Sequence, residues 1–149
     1  MHIVVLLSYL YFSVLGDKMD KSFDAFKKYY GLDIKQINEI KKYFLLSDED
    51  KKVLNSVIER IKEIPKIVFD EFYSHLLSFE ETKKILKKEK GLIEGLKEKQ
   101  KDYLKFLLLT DIDENYVKRA FNVGKKHFEY GVNLGNYIGA YAKYREAFL

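Results

Sequence analysis

The residue of this chain best suited to chemistry is a histidine between two glycines, in the pattern Gly124-x-x-His127-x-x-x-Gly131. Reading every third or fourth position through this segment predicts one face of an amphipathic helix. That face is almost continuously apolar and includes the histidine: Tyr116, Ala120, Val123, His127 and Tyr130. A buried polar ring without a partner is destabilising by about 2 kcal/mol or more, so this imidazole needs one.

Two kinds of partner suit that position. The glycines about one turn from the imidazole leave room for a flat group against the helix, and haem iron held by a single histidine is such a group. The plainer alternative is a core histidine bonded to a backbone carbonyl, which the spacing alone favours. The remaining histidines, His2 and His75, are too few and too scattered to build a multi-histidine zinc site with His127.

The elements that position this histidine are expected to be helices. The 149 residues suffice for one domain with a real core, and 47% of them are apolar. The chain has one proline and 8 glycines, fewer than the turns between a series of strands would require, so the composition predicts an all-α fold. The 12 tyrosines and 11 phenylalanines could line a wide cavity, although they fill ordinary cores equally well.

Cysteine content and charge exclude several classes of function. The chain has no cysteine, which excludes disulfides, thiolate metal sites, iron–sulfur clusters and cysteine nucleophiles. The net charge is +4, but lysines such as those of Lys97-x-Lys99-x-Lys101 alternate with glutamates and predict a solvated face. Nucleic-acid binding requires a one-sided basic stripe rich in arginine, so we expect no nucleic-acid partner.

The first residues form an apolar stretch from Ile3 to Leu15. This stretch is shorter than the roughly 20 residues of a membrane span, and it lacks the basic start and the cleavage site of a signal peptide. We therefore expect residues 1–18 to be a start assigned too early, before Met19, or a short apolar extension. A membrane-associating tail is the alternative, but we expect no membrane span and a cytoplasmic location.

Helix signals recur along the rest of the chain. Asp20 to Tyr43 is predicted to be a short helical preface, and Ser47 is followed by three acids that suit the first turn of a helix. Pro65 predicts a corner after that helix. The further predicted helices are Lys66 to Leu77, Thr82 to Lys88, Leu92 to Leu109, Glu114 to Tyr130, and Asn136 to the end, with Asp113 as a cap and 131–135 as a loop.

Four further segments flank or extend the histidine pattern in a fixed order. They are Phe72-Tyr73-Ser-His-Leu76, Gly95-Leu96-Lys-x-Lys-Gln100-x-x-Tyr103-Leu104, Asp113-x-x-Tyr116-x-x-Arg119 and Tyr137-Ile138-x-Ala140-Tyr141. Together they resemble the haem domain of the globin-coupled sensors, including the stand-alone sensor globins and their thermophile relatives. The resemblance implies a globin fold over residues 47–149, preceded over residues 19–46 by the extra helix of that family.

The resemblance also implies roles for particular residues, with haem b (iron protoporphyrin IX) as the cofactor. His127 matches the proximal histidine that binds the iron, and Val123 lies on the same cofactor-facing stripe. Tyr73 matches the distal tyrosine, whose hydroxyl reaches a bound gas, and Leu96 matches an apolar residue that controls access. Gln100 is a candidate second polar group on the distal side, although an amide at the edge of the helix face is its alternative.

The chain departs from the pattern of this family near its end. Leu134, Gly135 and Asn136 occupy places where the family usually has a proline and a tryptophan. A further long helix is also expected after Leu149. Without such a helix, apolar residues of the last segment would be exposed, so we expect a truncated product, weak haem binding or pairing with another copy. The residues concerned are Tyr137, Ile138, Tyr141 and Phe148.

The function implied by the resemblance is reversible binding of dioxygen and other diatomic gases, as a carrier or a sensor. Two alternatives stay open at this point. The same iron could act on nitric oxide, peroxide or nitrite, and no residue distinguishes such an enzyme from a carrier. A globin-like module that has lost haem could instead act only in protein interactions.

Overall fold

The computed structural model describes residues 21–43 and 66–146, together with positions 47, 49, 50, 52, 53 and 56. Regular structure in these described residues is helical, which agrees with the all-α fold that was expected. The helices are α1 (Phe23–Tyr30), α2 (Ile34–Tyr43), α3 (Lys66–Leu77), α4 (Glu80–Leu86), α5 (Leu92–Leu109), α6 (Glu114–Glu129) and α7 (Leu134–Glu146). The predicted bounds of α3 and α5 are confirmed. The predictions for residues 1–18 lie outside the described residues.

The helical preface consists of two short helices. The Ser22 hydroxyl accepts a hydrogen bond from the Ala25 N–H and caps α1, which ends at Gly31 in the left-handed conformation with φ 63°. Glycine adopts this conformation without steric cost, so the helix stops there. The carboxylate of Asp33 then accepts from the Gln36 N–H at 2.7 Å and caps α2.

These two helices pack against one face of α6. The Phe26 and Phe121 rings lie 4.7 Å apart between centroids, and Lys27 forms an ion pair with Glu114 at 2.6 Å. Burial of apolar surface between the helices is the main stabilising term at this contact. The buried members of this first core are Phe26, Leu32, Ile37, Val117 and Phe121.

The predicted cap at Ser47 is confirmed. Its hydroxyl accepts from the Asp50 N–H at 3.2 Å, while the Asp50 carboxylate accepts from the Ser47 N–H at 2.8 Å. This reciprocal pair is a capping box, which satisfies N–H groups at a helix start. Positions 49, 50, 52, 53 and 56 are helical, whereas Pro65 lies outside the described residues.

A second core lies between α3, α4, α5 and α7. Its buried residues are Phe72, Tyr73 and Leu86, with Leu96 and Ala140 packed against them. The predicted start of α4 at Thr82 is wrong, because the helix begins two residues earlier, at Glu80. Two glutamates in its first turn favour that start, since negative charge is stabilising at a helix N-terminus.

The corner between α6 and α7 is tight. Gly131 has φ 76°, and the Val132 N–H donates to the His127 carbonyl at 3.0 Å, so α6 ends at Glu129. The predicted start of α7 at Asn136 is wrong: the helix begins at Leu134. The reason is a side-chain cap, because the Asn133 amide oxygen accepts from the Asn136 N–H at 2.7 Å.

Two exposed apolar residues lie on α7. Ile138 is 55% exposed and Tyr141 is 36% exposed, as expected from the sequence. Among the described helices, none combines the length and the apolar character that crossing a bilayer requires.

Candidate haem-binding site

The imidazole of His127 has a backbone partner. Its Nδ1 lies 2.8 Å from the Val123 carbonyl oxygen. A carbonyl oxygen only accepts hydrogen bonds, so Nδ1 carries the proton and Nε2 keeps its lone pair. The structure therefore contains the carbonyl-bonded histidine of the plainer alternative. The same hydrogen bond is compatible with haem binding, because this tautomer leaves Nε2 as a potential metal ligand.

Charge on His127 is disfavoured. Burial lowers the pKa of His127 below its usual value of 6.5, and the hydrogen bond to Val123 only partly opposes that effect. The ring is consequently neutral at physiological pH. Neutral imidazole is the form that binds iron.

Tyr137 packs against this ring from the first turns of α7. The two ring centroids are 5.2 Å apart and the ring planes meet at 82°, an edge-on contact. The expectation that Tyr137 would be exposed is wrong, because this contact leaves it only partly accessible. Burial raises the pKa of Tyr137 to about 12, so its hydroxyl keeps its proton.

Two of the three predicted distal residues, Tyr73 and Leu96, come together in the second core, and Gln100 is not part of it. Tyr73 is 6% exposed and shares an apolar cluster with Leu96, which comes from the facing helix α5. An ion pair beside them joins the two helices, with Lys97 Nζ 2.8 Å from Asp70 Oδ1. This pair lowers the pKa of Asp70. Tyr73 and Leu96 therefore lie at the contact between α3 and α5.

Helix α7 connects the distal cluster with the histidine. Ala140 packs against the cluster that contains Tyr73, and Tyr137 packs against His127 one turn earlier on the same helix. Helix α3 also lies against α7. Side chains three positions apart on a helix share a face. Helix α7 thus contacts both the cluster that contains Tyr73 and Leu96 and the ring of His127.

Two polar atoms on α5 are buried without a partner in the described part of the chain. They are the Gln100 amide oxygen and the Tyr103 hydroxyl, which lie one turn apart. Burial is the main reason why the pKa of Tyr103 is raised, and nearby Tyr116 and Tyr137 add to it. Unsatisfied buried polar atoms are rare in native proteins and indicate a missing partner such as a water or a ligand.

Sequence reasoning assigned a role to Gln100 but none to Tyr103. Leu96, Gln100 and Tyr103 are spaced by four and then three positions, which places them on one helix face. This pattern could have identified Tyr103 as a candidate site residue. Position on a face does not show whether a hydroxyl finds a partner, however. That property depends on the neighbouring helices.

Helices α5 and α6 are held together by a cluster of aromatic rings and one arginine. The guanidinium of Arg119 lies 4.2 Å from the Phe106 ring centroid and 5.8 Å from that of Tyr103. Phe106 in turn stacks on Tyr116 at 5.7 Å. Cation–π and stacking contacts of this kind are each worth about 0.5–1 kcal/mol. They hold the side of α6 that carries His127 close to α5.

The residues present fit a haem group. A single neutral imidazole with its Nδ1 already engaged is the donor that haem iron takes as an axial ligand. Apolar side chains on α3 and α5 suit a porphyrin ring, and the unpartnered polar atoms of Gln100 and Tyr103 suit an occupant with polar groups. Val123 is half-buried one turn before His127, on the same face.

Comparison with known proteins identifies the family of the chain. The family model for protoglobin matches residues 33–149. The heme-based aerotactic transducer HemAT of Halobacterium salinarum is 35% identical over 74 residues, which are 50% of this chain and 15% of that protein. The chain thus spans a small part of that relative, and no solved structure matches. The predicted relation to globin-coupled sensor haem domains is confirmed, and the chain belongs to the protoglobin family.

Proposed function

We propose that this protein binds haem b through Nε2 of His127 and uses it to bind dioxygen or another diatomic gas reversibly, as a sensor or a carrier. The observation that carries the proposal is the 2.8 Å contact between His127 Nδ1 and the Val123 carbonyl, which leaves Nε2 available. Haem would supply an iron that can bind a diatomic gas. Membership of the protoglobin family supports the proposal, as does the haem-based transducer among its relatives.

His127 and Val123 have distinct parts in this proposal. The Val123 carbonyl orients the imidazole and increases its electron donation, because a hydrogen bond to the second ring nitrogen raises ligand basicity. The Val123 side chain adds apolar surface on the cofactor-facing side of α6. Burial keeps the ring neutral, so no proton competes with iron for Nε2 near neutral pH.

Tyr73, Leu96 and Gln100 would act on a gas held by the cofactor. The Tyr73 hydroxyl would donate a hydrogen bond to a gas that carries partial negative charge, and its rigid ring would hold the hydroxyl in place. Leu96 beside it excludes water and limits access. Gln100 would supply a second polar group from α5, as a donor through its amide nitrogen, because an amide oxygen only accepts hydrogen bonds.

A haemin titration tests this function. We expect the purified chain to produce a Soret band that saturates at one haemin per chain, and to change its spectrum reversibly when dioxygen or carbon monoxide is added to the reduced form. A chain that binds haemin no better than an unrelated helical protein would refute the proposal. Size-exclusion chromatography of the same sample would test pairing through the exposed Ile138 and Tyr141 of α7.

A further inference from the structure

A single carboxylate on α4 holds the corner between α6 and α7. Glu81 Oε2 accepts a hydrogen bond from Asn133 Nδ2 at 2.9 Å and another from Asn136 Nδ2 at 2.9 Å. These partners follow Glu81 by 52 and 55 positions in the sequence. Hydrogen bonds to a charged acceptor are stronger than those between neutral groups, and one carboxylate oxygen can accept two.

Both residues that Glu81 binds take part in the cap that starts α7. Asn133 uses its other amide atom to cap the helix, by accepting from the Asn136 N–H at 2.7 Å. The connection from α6 is short, so a shift of these two residues would shift the start of α7. Tyr137 follows Asn136 directly, and its ring meets the His127 ring at a centroid distance of 5.2 Å.

Helix α4 is itself tied to both sides of the candidate site. The Thr82 hydroxyl, next to Glu81, donates to the carbonyls of Leu76 and Phe79, which joins α4 to the end of α3. Lys88, just beyond α4, donates to the Tyr130 carbonyl at 3.5 Å, at the end of α6. A continuous set of contacts therefore runs from the helix of Tyr73, through α4, to the corner that precedes Tyr137.

We propose that Glu81 is a positioning residue for His127: by binding Asn133 and Asn136 it holds Tyr137 against the imidazole and restrains rotation of the ring. The inference rests on the proposed function, because the restraint matters for iron held at Nε2. Tyr137 touches the imidazole, and loss of the groups that hold a metal ligand in its orientation weakens metal affinity. Glu81 does not touch the cofactor and acts only through the corner and Tyr137.

The experiment compares Glu81→Ala with a matched control, Glu80→Ala. Glu80 has the same charge on the same helix but pairs with Lys83 of its own helix at 2.8 Å. We expect Glu81→Ala to lose haemin to an apo-globin acceptor about tenfold faster, and to shift the iron–histidine stretching band in resonance Raman spectra of the reduced protein. Glu80→Ala should match the unmutated chain. Glu81→Gln, which keeps an acceptor oxygen, should retain haemin nearly as well as the unmutated chain.

A second variant keeps the inference testable if Glu81→Ala folds poorly. Asn136→Ala leaves the Asn133 cap in place and removes one of the two bonds to Glu81, so it should raise haemin loss by a smaller factor than Glu81→Ala. The double variant with Glu81→Ala should lose haemin no faster than Glu81→Ala alone, because that variant already lacks the contact with Asn136. Equal haemin loss and an equal Raman band in Glu81→Ala and Glu80→Ala would overturn the inference, and so would additive effects in the double variant.

Failure of the proposed function would be distinguishable from failure of this inference. A chain that takes up no haemin refutes the function. The corner can still be measured in the cofactor-free protein, where a nuclear Overhauser effect between the Tyr137 and His127 rings should be strong in the unmutated chain and weak in Glu81→Ala. An unchanged effect in Glu81→Ala would overturn the positioning role.

Discussion

The Nδ1 atom of His127 lies 2.8 Å from the carbonyl oxygen of Val123, one helical turn earlier in α6. The partner is a backbone group, so it is supplied by helix geometry and does not depend on the side chain at 123. Fixing the proton on Nδ1 fixes the lone pair on Nε2. The same contact therefore satisfies one polar atom of a half-buried ring and leaves the other ring nitrogen available.

Replacing His127 should abolish specific haem binding. The sequence of α6 contains one histidine, so we expect His127→Ala to lose the Soret band of the purified protein. His75→Ala is the matched control, because His75 is half-buried at the end of α3 with its ring against Phe79 at 5.1 Å. Retention of an unchanged Soret band in His127→Ala would remove this residue from the site.

Replacing Tyr73 by phenylalanine should speed dioxygen release. The substitution keeps the buried ring and removes one hydrogen-bond donor worth about 1–1.5 kcal/mol, which corresponds to roughly tenfold in rate. Stopped-flow or flash photolysis of the reduced protein measures the dissociation rate. Tyr137→Phe is a control from the other side of the candidate site and should leave that rate within about twofold. Equal rates in Tyr73→Phe and the unmutated chain would exclude a ligand-stabilising role.

Replacing Tyr103 by phenylalanine should stabilise the cofactor-free protein. The Tyr103 hydroxyl is buried without a partner in the described residues, so its removal abolishes a desolvation cost of about 1 kcal/mol while the ring contacts persist. Urea unfolding at neutral pH measures the change. With haem bound, we expect a smaller gain, because an occupant or a trapped water can satisfy the hydroxyl. A loss of stability in the cofactor-free variant would show that the hydroxyl has a partner.

The stability of the fold should fall at alkaline pH through Tyr116. Burial raises the pKa of Tyr116 from 10.0 to about 12. The unfolded chain therefore loses its proton first, so this contribution is complete below pH 10 and is lost as pH rises from 10 towards 12. Tyr116→Phe should reduce that decline by about 2 kcal/mol. Urea unfolding over this range measures it, with Tyr29→Phe, exposed on α1, as the control. An unchanged decline in Tyr116→Phe would contradict the assignment.

Much of the fold follows from local sequence signals. The bounds of α3 and α5 agree with the predicted ranges, and Ser47 and Asp113 act as helix caps as expected. Caps and apolar periodicity operate within a few residues, so they can be recognised without knowledge of the rest of the chain. The inward position of His127 belongs to the same class, because its face of α6 is defined by spacing alone.

Other features depend on contacts between distant segments, and these only the tertiary structure decided. The start of α7 at Leu134, the edge-on ring of Tyr137 and the two bonds of Glu81 all join residues that local patterns treat separately. The missing partner of Tyr103 likewise depends on which helices surround it. By itself, the sequence determined which residues of a helix share a face, because helical periodicity is local. Packing decided which of those side chains meet, because hydrogen bonds and ring contacts form between helices only after the chain has folded.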